Sequence, residues 1–214
     1  MAPERMEPMP VANAALSALL NLTLLGGLPF LIYFAYQKWR HKRRFSEIAQ
    51  RAGLQLGDGR SLAYSFIAAV ATVAVLVVWP PPLEPFLREG SPQRAFVGLG
   101  LGGQAIAMAL LYGVVQTGFP EELLFRGLIA GSLARRLSGG WANLLQALIF
   151  LAPHLLILRV MPEMWLIIPL VFGGALFAGW LRIRSGSIMG PWLIHATANV
   201  AMCLSVAART GSPQ

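Results

Sequence analysis

Charge is scarce in this chain: 12% of its 214 residues are Asp, Glu, Lys or Arg, against about a quarter in soluble globular proteins. That shortage excludes a water-facing surface over most of the length. Long polar stretches are missing too, so no separate soluble domain is expected, and function has to sit among apolar segments. Cysteine occurs once, as Cys203 inside an apolar run, which excludes a disulfide framework and a cysteine metal site. No Gly-x-Ser-x-Gly elbow and no His-Glu-x-x-His pair is present, which argues against serine hydrolases and the common zinc peptidases. Lysine is nearly absent, two residues against 15 arginines, a bias that fits a GC-rich bacterial genome.

What fills the chain is hydrocarbon. Hydrophobic residues make up 56% of it and mean hydropathy is +0.62. The net charge of +8 comes from basic residues that flank apolar runs, as membrane anchors and topology signals do, so nucleic acid is not expected as a partner. A helix needs about 20 apolar residues to cross the hydrocarbon core. The uncharged runs 11–36, 61–79, 95–118 and 164–181 meet or approach that length, and residues 119–134, 141–158 and 185–208 are apolar but carry ionisable or amide groups. The expectation is an all-α, polytopic transmembrane helix bundle of about seven spans, six to eight, in a multi-pass protein of a bacterial inner membrane. Residues 1–10 are polar and proline-rich, and the apolar run after them is too long for a signal-peptide core, so 11–36 reads as a retained span.

The basic segment 37–60 reads as a cytoplasmic interface with Trp39 and Phe45 at headgroup level. Seven crossings put nine Lys/Arg on its side and seven on the other, whereas a single crossing by 95–134 gives 11 against five. Forty helical residues would span about 60 Å, twice the core thickness, which favours the seven-span reading. The glycines at 98, 100, 102, 103, 173, 174 and 179 read as sites of close helix packing.

The chemistry lies in three short patterns. In Gly118-Phe119-Pro120-Glu121-Glu122-Leu123-Leu124-Phe125-Arg126-Gly127, two carboxylates stand at the start of an apolar helix with proline in its first turn, where a missing N–H costs nothing. Placing adjacent charges in hydrocarbon costs several kcal/mol and calls for a use. Glu122 and Arg126 are i and i+4 and can pair, while Glu121 lies about 140° around the helix. A carboxylate left without a countercharge in a low-dielectric site is suited to take a proton from water. The second pattern is Phe150-Leu151-Ala152-Pro153-His154, with Phe150 read as a pocket wall; the third places His195 and Asn199 at i and i+4. Counted along alternating helices, Glu121, His154, His195 and Asn199 reach a similar depth toward one face. Together they suit hydrolysis: a carboxylate and an imidazole activate water, and imidazole and amide donors steady an oxyanion.

Other readings stand beside this one. Glu122 and Arg126 form a structural ion pair on the plainest account, Phe150 is packing, and His195 with Asn199 would be interhelical hydrogen-bond glue. Two histidines and Glu121 are also a zinc ligand set with one open position. A non-catalytic membrane immunity scaffold or a proton-coupled transporter would use the same buried polar residues.

The three patterns, Glu-Glu-x-x-x-Arg at 121–126, Phe-x-x-x-His at 150–154 and His-x-x-x-Asn at 195–199, resemble the three motifs of the CPBP family of CAAX proteases and bacteriocin-processing enzymes. The resemblance covers 95–208, leaving 1–94 as N-terminal transmembrane helices with the basic loop and 209–214 as a tail. It implies a glutamate-dependent intramembrane endopeptidase with no cofactor, acting on a membrane-anchored protein or peptide, for instance at a C-terminal sorting or processing signal. By similarity Glu121 and His154 would activate water, His195 and Asn199 would form the oxyanion hole, and Glu122 with Arg126 would order the site. Pro153 before His154 is the unfamiliar feature, and a kink there would shift the imidazole.

Overall fold

A computed structural model describes residues 11–159 and 162–211, and these form helices and connecting turns with no strand among them. Residues 1–10 and, in the 209–214 tail, residues 212–214 lie outside the described residues. Six helices are long: α1 Val11–His41, α3 Gly59–Val78, α5 over residues 103–133, α6 Gly139–Leu155, α7 Pro162–Ser185 and α8 Met189–Thr210. Two are short: α2 Phe45–Arg51 and α4 Glu84–Leu87. Helices α1, α3, α7 and α8 are long and apolar enough to cross a membrane. The helix α5 is as long as α1, but Gln104, Gln116, Glu121, Glu122 and Arg126 dilute its hydropathy, and α6 has 17 residues.

Why these segments pack as they do follows from side-chain size. The interior holds small residues, among them Ala14, Ala18, Ala69, Ala105, Ala109, Ala130, Ala147, Ala175 and Ala207, while Leu16, Leu31, Phe66, Val77 and Leu170 point outward. In lipid there is no hydrophobic gain in hiding leucine, so helices associate by close approach over small residues. Along α8 runs α3, where Gly190 meets Ser65, and α1 lies against α5, where Gly26 meets the ring of Pro120.

One expected boundary is absent. Residues 95–118 and 119–134 are not two spans: 95–102 is a short turn and loop, and α5 runs unbroken from Gly103 through Gly118, whose φ of −55° and ψ of −61° are helical. Proline 120 therefore lies inside a helix. It is tolerated because wide π turns at Leu111–Gly118 and Glu122–Ala130 flank it, and their i→i+5 bonding relieves the ring's demand on the preceding turn. Starting at 103 removes the length objection as well, since 31 residues rise about 46 Å.

Six long helices among the described residues, four of them long and apolar enough to span where about seven spans were expected, bring Val11 and Thr210 to one end of the bundle. There Ala14, Phe86, Phe96, Ala105, Cys203 and Val206 share a core, and Arg209 bonds the Pro81 carbonyl at 2.7 Å. At the opposite end, the basic segment docks. Gln55 bonds the Gly186 carbonyl at 3.1 Å, the Ile188 amide bonds Gly53 at 3.0 Å, and Ala52 seats against Gly127. Among described residues that end carries 11 Lys/Arg and the other four. The glycine expectations divide: Gly179 is pressed against Asn143 and Gln146, but Gly173 and Gly174 face open space. Gly98 and Gly100, at φ +80° and +63°, shape the loop before α5 and lay it on the end of α8, where the Gly98 amide donates to Thr210 Oγ1 at 3.0 Å.

Candidate functional site

Three helices converge where the motifs fall. Glu121 and Glu122 lie in mid-α5, twelve residues before Leu133, and His195 lies on α8, six residues after Met189. At 1.5 Å per residue both are in the half of the bundle next to the basic end. His154 lies in the last turn of α6.

Glu122 is the anchor. It is 1% exposed, and its Oε1 accepts from Arg126 Nη1 at 2.9 Å and from His195 Nδ1 at 2.8 Å. The spacing anticipates the arginine; the histidine comes from a chain segment 73 residues away and could not be read from spacing. Because a carboxylate accepts, His195 Nδ1 carries the hydrogen, and Nε2 is turned toward Glu121. Glu121 Oε2 is 3.9 Å from His195 Nε2, beyond a direct hydrogen bond, and Glu121 is 20% exposed where Arg126 is 2%. One carboxylate is thus sealed and paired, and its neighbour is open.

The second imidazole is oriented by backbone. His154 Nδ1 lies 2.8 Å from the Phe150 carbonyl, which can only accept, so Nδ1–H is the donor and Nε2 keeps its lone pair. No hydrogen bond joins His154 to either glutamate among the described contacts. Pro153 is accommodated where α6 gives way to the 3₁₀ turn Leu156–Arg159. The Phe150 ring stands between the parts, 4.5 Å from the His154 ring, 6.2 Å from that of His195 and under the Arg126 guanidinium at 4.0 Å. Packing and site formation coincide at this residue.

Asn199, one turn beyond His195, donates from Nδ2 to Thr117 Oγ1 at 2.8 Å, leaving a second amide hydrogen. Thr117 was not anticipated, and nothing but its position four residues before Glu121 pointed to it. Sequence reasoning also missed Arg182, whose Nε and Nη2 bond the Arg126 and Arg51 carbonyls at 3.1 and 2.7 Å and fasten α7 to α5 and to the docked basic segment. Among described residues no three His, Cys, Asp or Glu side chains are grouped so as to hold a metal ion.

Residues 102–201 match the family model described as type II CAAX prenyl endopeptidase Rce1-like. Over that stretch the chain is similar to the Rce1-like CAAX endopeptidases. The family match takes in α5, α6, α7 and the part of α8 that bears His195 and Asn199, and the apolar helices mark the chain as an integral membrane protein. No curated protein and no solved structure matches the chain.

Proposed function

We propose that the protein is a glutamate-type intramembrane endopeptidase that needs no metal and acts on a membrane-anchored protein or peptide. The observation that carries this reading is the pairing of an open Glu121 with the Nε2 face of a histidine that Glu122 holds by its other nitrogen, inside a segment of protease kinship. In the proposed reaction, a water between Glu121 and His154 Nε2 gives a proton to Glu121 and its oxygen attacks the scissile carbonyl. The oxyanion accepts hydrogen bonds from His195 Nε2–H and from the second Asn199 amide hydrogen. That donation needs a hydrogen on Nε2 as well as the one that Nδ1 gives to Glu122, with the Glu122 carboxylate as the countercharge beside the ring. Glu121 then passes its proton to the leaving amine, so the proton balance closes without a covalent intermediate.

Glu122 and Arg126 have an ordering part here: the ion pair fixes the carboxylate that aims His195. One observation favours an exchange of roles between the histidines, because His195 is the one 3.9 Å from Glu121. In that case His195 assists the base and His154 faces the oxyanion. The two assignments separate kinetically: a glutamine, which keeps an N–H donor, should preserve more turnover at the histidine that faces the oxyanion than at the one that assists water, so His195→Gln should outperform His154→Gln on the first assignment and the order should reverse under the exchange.

The preponderance of Lys/Arg at the docked end, 11 against four, supports placing that end in the cytoplasm by the positive-inside rule. The expected setting is a bacterial inner membrane, with substrates that carry a C-terminal sorting or processing signal. Comparing membrane-protein termini in cells with wild-type protein and with Glu121→Gln tests the reading; a cleavage product found only with Glu121 intact supports it, and identical termini refute it.

A further inference from the structure

At the basic end, away from the glutamates, a cavity of about 320 Å³ opens between the α2 end, the α5 end and the turn after α7. Its walls include Gln50, Arg51, Gln55, Gly131, Arg135 and Arg182. Three guanidinium groups thus meet in one recess. Each charge lacks an acid: the ion pairs among described residues are Arg88 with Glu163, Arg126 with Glu122, and His195 with Glu121 and Glu122. Glu47, one turn before Arg51, bonds back to the Arg44 amide.

The hydrogen bonds of these arginines satisfy N–H groups without cancelling charge. Arg182 reaches two backbone carbonyls, Arg135 reaches the Tyr33 hydroxyl at 3.1 Å and Ser132 at 2.9 Å, and Arg51 Nε is buried with no partner. Desolvation, then repulsion from Arg51 and Arg43, holds the Arg135 guanidinium below the ordinary arginine range, with Tyr33 opposing. Such a cluster is stable where an anion joins it. Guanidinium forks match phosphate oxygens in geometry and charge.

The source of the phosphate follows from the surroundings. The recess lies beside α2, whose Phe45 is exposed, and Arg135 ties it to Tyr33 of α1, the helix that ends with the exposed Trp39; Phe45 and Trp39 are side chains that belong at headgroup level. Basic pockets between transmembrane helices on the positive face take lipid headgroups. We infer that the Arg51–Arg135–Arg182 recess binds the phosphate of an anionic membrane lipid, and that this lipid fastens the 45–57 segment over the end of the catalytic helices.

Full-length protein purified and delipidated in neutral detergent provides the test. Phosphatidylglycerol should raise the thermal unfolding midpoint by several degrees in a saturable way, phosphatidylcholine should not, and millimolar inorganic phosphate should give at most a small part of the rise. In the double variant Arg51→Gln, Arg135→Gln, half-saturation should need about tenfold more phosphatidylglycerol. Arg88→Gln, at the opposite end, should keep the wild-type response. If the double variant does not accumulate, Arg135→Gln alone, on an exposed side chain, should weaken the response. An equal rise with phosphatidylcholine, an undiminished response in the variants, or a full rise with inorganic phosphate alone would each overturn the inference.

Discussion

Two adjacent glutamates with unlike surroundings set the residue-scale prediction. Glu122 is enclosed between Arg126 and His195, so Glu122→Gln leaves a buried guanidinium without its countercharge and should cost about 3–5 kcal/mol. Glu121→Gln touches an open group, and its unfolding midpoint should stay close to wild type while turnover vanishes. Thermal unfolding beside a cleavage assay separates the two; equal loss of stability in both variants would contradict the division of roles. Thr117→Val gives a finer check. It removes the acceptor of Asn199 at a cost to stability of about 1 kcal/mol, and it should lower kcat with KM nearly unchanged.

At the scale of elements, close approach over small residues holds the helices, and glycines report where it operates. Gly179→Ala puts a methyl into Asn143 and Gln146 and should destabilise by about 1–3 kcal/mol, whereas Gly173→Ala, with open space around it, should be neutral or slightly stabilising. Comparing their unfolding midpoints in detergent checks both, and a reversed order would refute this packing. Most elements were legible in the sequence, because apolar run length is a strong signal in a chain that has lipid as solvent. The boundary at 118–119 was not. A Pro-Glu-Glu start looks like a helix N-terminus, and no pattern in the sequence announces that π turns on either side of Pro120 carry the helix through. Loop glycines such as Gly98 also look like packing glycines until their positive φ is seen. The pairing of Glu122 with His195 was hidden for a different reason: i,i+4 spacing names Arg126, while a contact across 73 residues depends on how α8 crosses α5.

For the whole molecule, the even number of long helices has a topological consequence. Both termini should label from one side of the membrane, and the 42–58 segment from the other. Cysteine accessibility at engineered sites in Cys203→Ala protein measures this, and termini on opposite sides would contradict an even number of crossings. The N-terminal region, which matched no motif, is joined to the rest: α1 braces Pro120, α3 lines α8, and residues 52–57 close the basic end over Gly127 and Arg182. Removing 45–57 should therefore unseat the α7–α8 turn as well as the loop itself.

The central claim is that the carboxylate of Glu121 performs hydrolysis within the bilayer. Its most direct test is cleavage by the purified, reconstituted protein of a membrane substrate found by comparing termini in cells, followed in water containing heavy oxygen with a chelator present. Wild type should put one heavy oxygen into the new C-terminus whether or not the chelator is there, and Glu121→Gln, folded to the same midpoint, should yield no product. Product from the glutamine variant at the wild-type rate would contradict the account.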